Sequence, residues 1–126
     1  MVKMYILKSY EEYKRCIGEN EMTFLFIYAE WCKPCVEFKP TLLKYLEERG
    51  YPENIGIGLM DYDEMKKDIE WFSVFEKTHL PAFYSHHLGN YDKPIISVDL
   101  IFIHPFIENK LYEIREKRDL KITDDF

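Results

Sequence analysis

The segment TFLFIYA, at residues 23–29, is a nearly unbroken run of apolar and aromatic side chains. A run without polar alternation is typical of a strand that is covered on both faces, as in the middle of a parallel sheet. A second buried strand is predicted for NIGIGLMD at residues 54–61, where the glycines allow neighbouring elements to come close. The chain has 126 residues, of which 47% are hydrophobic, enough for one domain with a substantial core.

The remaining segments alternate between helical and extended patterns. Ser9 followed by Glu12 has the spacing of a helix-capping box, and Gly18 is a suitable end for that helix. Pro40 interrupts the next helical pattern and predicts a kink, while Pro105 fits the first turn of the last helix. The predicted order is β-α-β-α-β-α-β-β-α, with strands at 4–7, 23–29, 54–61, from Pro81 and at 95–100, and helices at 10–17, after the cysteines, at 63–77 and from Pro105.

Charge and composition argue against several classes of function. The formal net charge of −6 opposes nucleic-acid binding, which usually needs a basic face. No apolar stretch approaches the ~18 residues of a membrane span, and the N-terminus MVKMYILKSYEEYKR lacks the pattern of a secretory signal. Three cysteines without such a signal indicate a reducing compartment, where structural disulfides are rare. We therefore expect a cytoplasmic monomer that binds neither nucleic acid nor membrane.

Two cysteines in the stretch EWCKPCV, at residues 30–36, carry the clearest chemistry. Cys32 follows the apolar strand and precedes a helix, so the positive end of the helix dipole would stabilise its thiolate. Cys35 lies one turn further along and is expected to be more buried. Cys32 could therefore attack a disulfide and Cys35 could resolve the mixed disulfide. Lys33 adds a positive neighbour, and Pro34 stiffens the short loop.

Several of these features together resemble the thioredoxin family. WCKPC after an apolar strand, a proline five residues past the second cysteine, LMDYD at the third strand and HLPAF before a hairpin are all similar to that family, over residues 4–118. The resemblance implies an α/β, thioredoxin-like fold with a central mixed sheet flanked by helices on both faces. We expect a single domain at residues 1–118 and an acidic tail at 119–126.

The resemblance also implies an activity, namely the reduction of protein disulfides through a dithiol/disulfide cycle. Cys32 would be the catalytic nucleophile and Cys35 the resolving thiol. Trp31 would cover the site, Pro81 would be cis and face the cysteines, and the backbone around Leu80 would pair with an extended substrate. Electrons would come from a thioredoxin-reductase-type donor, and neither a bound cofactor nor a metal is expected.

Two positions depart from the family pattern. Thioredoxins usually carry a buried Asp six residues before the first cysteine and a Lys partner on the third strand, whereas this chain has Phe26 and Ile57 there. Replacing both members of a buried charged pair can be neutral, whereas losing one leaves a costly unpaired charge. A proton acceptor behind Cys35 is nevertheless lost. We hypothesise that His79, two residues before Pro81, tunes the thiolate or takes that proton; the alternative is a histidine on a solvent-facing loop.

Other interpretations of the CxxC motif stay open. Structural zinc needs four ligands, and the candidates His86 and His87 lie on a strand that runs away from the cysteines. A glutaredoxin-like reductase would also lack the buried Asp, but it usually has CPYC, TVP and a GG pair where this chain has CKPC, HLP and Gly89 alone. A third interpretation is a thioredoxin-fold binding module with little redox turnover. Cys16, on the first helix, is expected to be a buried structural thiol.

Overall fold

A computed structural model describes residues 3–67 and 79–124, with side chains described as far as Glu116. The strands and helices of this part of the chain are β1 (Lys3–Leu7), α1 (Tyr10–Glu19), β2 (Met22–Tyr28), α2 (Lys33–Arg49), β3 (Ile55–Asp61), α3 (Tyr62–Met65), β4 (Ala82–His87), β5 (Asn90–Tyr91), β6 (Ile95–Ile96) and α4 (Leu100–Asp124).

The strands form one mixed sheet in the order β1-β3-β2-β4-β5, with β6 also paired to β4. β1 and β2 both run parallel to β3, whereas β4 is antiparallel to β2 and to its other partners. Every residue of β2 is buried. The prediction that this apolar run is a central, doubly covered strand is therefore confirmed.

Helices cover both faces of the sheet. Successive side chains of a strand point to opposite faces, so one strand can contribute to the core on both sides. Phe24 and Phe26 of β2 belong to a buried cluster that also contains residues of α2 and α4. Leu25 and Ile27 belong to a second cluster, which contains Tyr13 and other residues of α1. The predicted mixed α/β sheet with helices on both sides is confirmed.

The glycines of β3 leave room for side chains of the two neighbouring strands and for Asn20 at the end of α1. A Cβ atom at Gly58 would lie 2.8 Å from the side chains of both Leu7 and Leu25, and one at Gly56 would lie 2.5 Å from Asn20 Nδ2. A real Cβ does not approach other atoms so closely. The close approach that the sequence predicts at these glycines is therefore present.

The last helix differs from the prediction, because it begins at Leu100 and not at Pro105. Asp99 Oδ1 accepts the backbone N–H of Ile101 at 2.9 Å, which satisfies one of the free donors at the helix start. This cap ends the extended segment early, so that the predicted strand at 95–100 is limited to Ile95–Ile96. The helix then continues to Asp124, into the segment predicted to be an acidic tail.

Two further helix predictions can be compared with the structure. α2 continues through Pro40 as far as Arg49. The helix predicted at 63–77 is described only at its start, as α3, because most of it lies outside the described residues. Within the described ranges, no helix has the length and apolar character needed to cross a membrane.

Candidate active site

The strand register brings three loops to one end of the sheet, and the cysteine pair lies on one of them. Ala82, at the start of β4, pairs with Ile27 near the end of β2. The same Ala82 pairs with Ile96 at the end of β6. The loop after β2, the loop before β4 and the loop after β6 therefore meet at the edge where Cys32 and Cys35 are found.

Cys32 is the N-cap residue of α2, at the positive end of the helix. Its carbonyl accepts the first helical hydrogen bond, from the Val36 N–H at 3.0 Å, and its own N–H donates to the Ala29 carbonyl at 3.1 Å. No acidic residue occupies the first turn of α2, so nothing there opposes the favourable field of the helix. This backbone geometry favours a negative charge on the Cys32 sulfur.

The two cysteines form a disulfide and differ in their exposure. Their Sγ atoms are bonded, with Cα atoms 5.3 Å apart. Cys32 keeps 8% of its surface exposed, whereas Cys35 is fully buried, which is the order of burial that the sequence predicts. The free Cys16 is buried on α1, and its burial raises the pKa of this thiol to about 12. Of the three cysteines, Cys32 alone thus keeps part of its surface exposed.

The space behind the disulfide is filled by aromatic and aliphatic side chains. Phe26 and Ile57, which stand where the family pattern has Asp and Lys, are both buried in the cluster that contains the two cysteines. The sheet register places Leu59, not Ile57, directly opposite Phe26. The ring of Phe26 stacks on Tyr28, with centroids 5.8 Å apart. Among the described residues, none of the buried ones carries a carboxylate or an ammonium group.

A cation that the sequence analysis missed lies close to this cluster. Lys39 Nζ is 4.2 Å from the ring centroid of Tyr28, within the range of a cation–π contact. Lys39 is four residues after Cys35 on α2, and residues with that spacing share a helix face. The spacing is visible in the sequence, but the contact with Tyr28 requires the packing of α2 on the sheet.

Trp31 stands at the front of the pair, with 66% of its surface exposed. Its ring meets that of Tyr62 edge-on, with centroids 6.4 Å apart and an angle of 89° between the planes. Tyr62 begins α3, which Asp61 caps by accepting the backbone N–H of Asp63 at 2.9 Å. Tyr62 was not anticipated from the sequence, because no local pattern connects it with Trp31.

The other predicted site residues lie on the same end of the sheet. The Leu80–Pro81 peptide bond is cis, as the family resemblance implies. Pro81 is buried and Leu80 is half-buried, whereas His79 is exposed. Lys33 and Pro34 are both exposed in the first turn of α2, where Lys33 Nζ lies 3.9 Å from Glu37 Oε1.

The histidines considered as metal ligands have other surroundings. His86 is buried on β4, and its ring centroid lies 4.7 Å from that of Tyr91. Burial is the main cause that lowers the pKa of His86, with a smaller contribution from the neighbouring His87. In the part of the chain that the structure describes, no three His, Cys, Asp or Glu residues are arranged to hold a metal ion.

Comparison with protein-family models and with curated protein sequences gives no match for this chain. Solved structures do match. Thioredoxin from Malassezia sympodialis aligns with a TM-score of 0.71 and 19% identity, over 86% of this chain and 91% of that one. Fasciola hepatica thioredoxin aligns with a TM-score of 0.71 and 18% identity, over 84% of this chain and 98% of that one. Oxidised mitochondrial thioredoxin 3 from Saccharomyces cerevisiae aligns with a TM-score of 0.68 and 24% identity, over 84% of this chain and 94% of that one. This chain therefore has the thioredoxin fold, with a disulfide-forming CxxC pair at the start of its second helix.

Proposed function

We propose that this chain is a thiol–disulfide oxidoreductase that reduces protein disulfides through Cys32 and Cys35. The observation that carries the proposal is the placement of the pair: Cys32 lies at a helix N-terminus with a small part of its surface exposed, and Cys35 is buried one turn further along. A thiolate at such a position is stabilised, and thiolates rather than thiols attack disulfides. The disulfide between the two residues supports the oxidised half of the cycle.

In the first step, the Cys32 thiolate attacks one sulfur of a substrate disulfide. The substrate S–S bond breaks, a mixed disulfide forms, and the other substrate sulfur leaves as a thiolate. In the second step, Cys35 loses its proton and attacks the Cys32 sulfur, which releases the second substrate thiolate. Two electrons and the Cys35 proton have then left the chain, the substrate thiolates take any further proton from the solvent, and the chain is left with its internal disulfide.

The proton of Cys35 needs an acceptor, and none of the buried residues that the structure describes is a carboxylate. The substrate thiolate released in the first step can accept this proton on the open side of the pair. His79, exposed on the loop before the cis proline, is a second candidate acceptor. Replacing His79 with alanine and following Cys32 alkylation against pH tests the histidine, since an unchanged titration curve removes it from the mechanism.

The surroundings of the pair would bind the substrate. Trp31, Leu80 and Pro81 would line the contact with an extended segment of the protein to be reduced, and Lys33 and Pro34 would tune the loop. A thioredoxin-reductase-type dithiol would return the oxidised chain to its reduced form. We place this activity in the cytoplasm and assign it to a monomer, on the basis of composition and family resemblance.

The test is the reduction of insulin by dithiothreitol. The wild-type chain should accelerate the reaction, Cys32→Ser should fall to the uncatalysed rate, and Cys35→Ser should accumulate a mixed disulfide with the substrate. Cys16→Ser is the matched control, because Cys16 is buried away from the pair and should be dispensable for turnover. Equal rates for the wild type and Cys32→Ser would refute the proposed function.

A binding module with little redox turnover is the second candidate, and the apolar replacement at Phe26 and Ile57 favours it. Such a module would retain a partner protein after the Cys32→Ser exchange, whereas a turnover enzyme would lose its covalent intermediates. A glutaredoxin-like reductase would instead reduce glutathione mixed disulfides faster than insulin. Assaying the wild type, Cys32→Ser and Cys35→Ser with both substrates, and measuring whether each retains a partner protein, separates these candidates.

A further inference from the structure

An open groove of about 420 Å³ lies next to the cysteine pair, between α2 and the loop that leads into α4. On the α2 side it is lined by Pro34, Glu37, Phe38 and Thr41. Pro34 stands between the two cysteines in the sequence, so one lining residue of the groove belongs to the proposed site. A substrate segment that reaches Cys32 could extend into this groove without a change in the fold.

The opposite wall of the groove is formed by Val98, Asp99 and Leu100. Val98 on this wall is 46% exposed. Pro34, Phe38 and Leu100 add further apolar lining. The groove therefore offers apolar contact area in addition to its charged groups.

Two carboxylates face this groove, and no cation is among the described residues that line it. Asp99 uses Oδ1 to cap α4, a hydrogen bond that leaves its negative charge in place. Lys33 Nζ lies 3.9 Å from Glu37 Oε1, and the Lys33 and Glu37 side chains are 86% and 67% exposed. An ion pair as exposed as this contributes little to stability, so Glu37 can bind a substrate cation in place of Lys33. The described residues that line the groove therefore carry two carboxylates and no cation of their own.

We propose that this groove selects substrate segments that carry a Lys or Arg close to the disulfide cysteine. The basic group would bind near Glu37 and Asp99, while apolar atoms of the same segment contact Phe38 and Val98. Charge complementarity at a binding surface favours one class of partner and disfavours the like-charged class. This inference rests on the proposed function, because it concerns the substrate of the same cysteine pair.

The experiment compares three peptides that contain the same disulfide and differ at one residue beside the cysteine, which is Lys, Gln or Glu. The reduced chain should reduce the Lys peptide faster than the Glu peptide, by about three- to tenfold at low ionic strength, as expected for two solvent-exposed charge contacts. The Gln peptide should fall between them. At about 1 M salt, where screening acts over ~3 Å, the difference should largely disappear.

Variants of the two groove carboxylates test which residues cause the preference for the Lys peptide. Glu37→Gln combined with Asp99→Asn should remove most of the Lys-to-Glu rate ratio, and Asn can still cap α4. Glu37→Lys should lower the ratio further, towards a preference for the Glu peptide. Glu48→Gln is the matched control, because Glu48 also pairs with a lysine four residues earlier on α2 but does not line the groove.

Each ratio of the Lys-peptide rate to the Glu-peptide rate is measured within one variant. A general loss of activity lowers both rates and leaves their ratio unchanged. A wild-type chain that reduces the Lys and Glu peptides equally fast would overturn the inference and leave the proposed function intact. A preference that survives in the Glu37→Gln, Asp99→Asn variant would overturn it as well. A wild-type chain that reduces none of the peptides would instead contradict the proposed function.

Discussion

Replacing Gly56 with alanine tests how closely α1 packs on the sheet. The added Cβ would lie 2.5 Å from Asn20 Nδ2 and 2.7 Å from its Cγ. Asn20 is 8% exposed, and its Nδ2 donates to the Cys16 carbonyl at 2.7 Å and to the Tyr5 hydroxyl at 3.2 Å. The amide must move to make room, and both hydrogen bonds are then lost or distorted.

The cost of this change has two parts. Displacing the amide leaves buried polar groups without their partner, which costs about 1–3 kcal/mol. Forcing an extra methyl group into a packed core costs about 1–3 kcal/mol more. We therefore expect Gly56→Ala to lower the free energy of unfolding by about 2–6 kcal/mol. Gly18→Ala is the control: a Cβ there meets no atom within 4 Å, and alanine in a helix should stabilise by about 0.5–1 kcal/mol.

The assay is urea unfolding followed by circular dichroism, with a double-mutant cycle that includes Asn20→Ala. The Asn20→Ala exchange removes the amide that the new Cβ would meet. In that background, Gly56→Ala should cost less than about 1 kcal/mol, because the clash and the hydrogen bonds have already gone. If Gly56→Ala costs the same in both backgrounds, the contact with Asn20 is not the cause, and the reasoning is refuted.

Three further predictions concern single residues. Burial lowers the pKa of His86 from 6.5, so just below that pH the unfolded chain binds more protons than the folded chain. The free energy of unfolding should therefore fall as the pH drops through this range. His86→Gln should make this fall smaller, as urea unfolding at several pH values would show. Cys16, whose pKa burial raises to about 12, should resist iodoacetamide in the folded chain and be alkylated in urea, as a mass shift would show. Tyr62→Ala should remove the edge contact with Trp31 and slow insulin reduction by about two- to tenfold, whereas Tyr62→Phe should keep the wild-type rate.

The features that were predictable from the sequence have local signals. The central strand TFLFIYA is recognisable because seven consecutive buried residues leave no polar alternation. Cys32 at the start of a helix follows from the same strand, since a short loop and a helical pattern come directly after it. The glycines of β3 likewise indicated a close neighbour, although not which side chain it would be.

The features that were not predictable depend on tertiary packing or on competing signals. Asp99 and Pro105 are both favourable residues for a helix start, and the structure uses the cap at Asp99. The register that places Leu59 opposite Phe26 depends on how the crossover helix between parallel strands packs. The groove unites residues of α2 and the α4 loop that are about sixty positions apart in the sequence, so no short pattern could reveal it.

The rings and aliphatic chains behind Cys35 have a consequence for how the chain responds to its surroundings. Among the described residues, none of the buried ones carries a carboxyl or an ammonium group. No buried carboxyl group of this part of the chain should then add to the pH dependence of the reduction potential. The described core behind Cys35 would keep the same charge whether the two sulfurs are bonded or free.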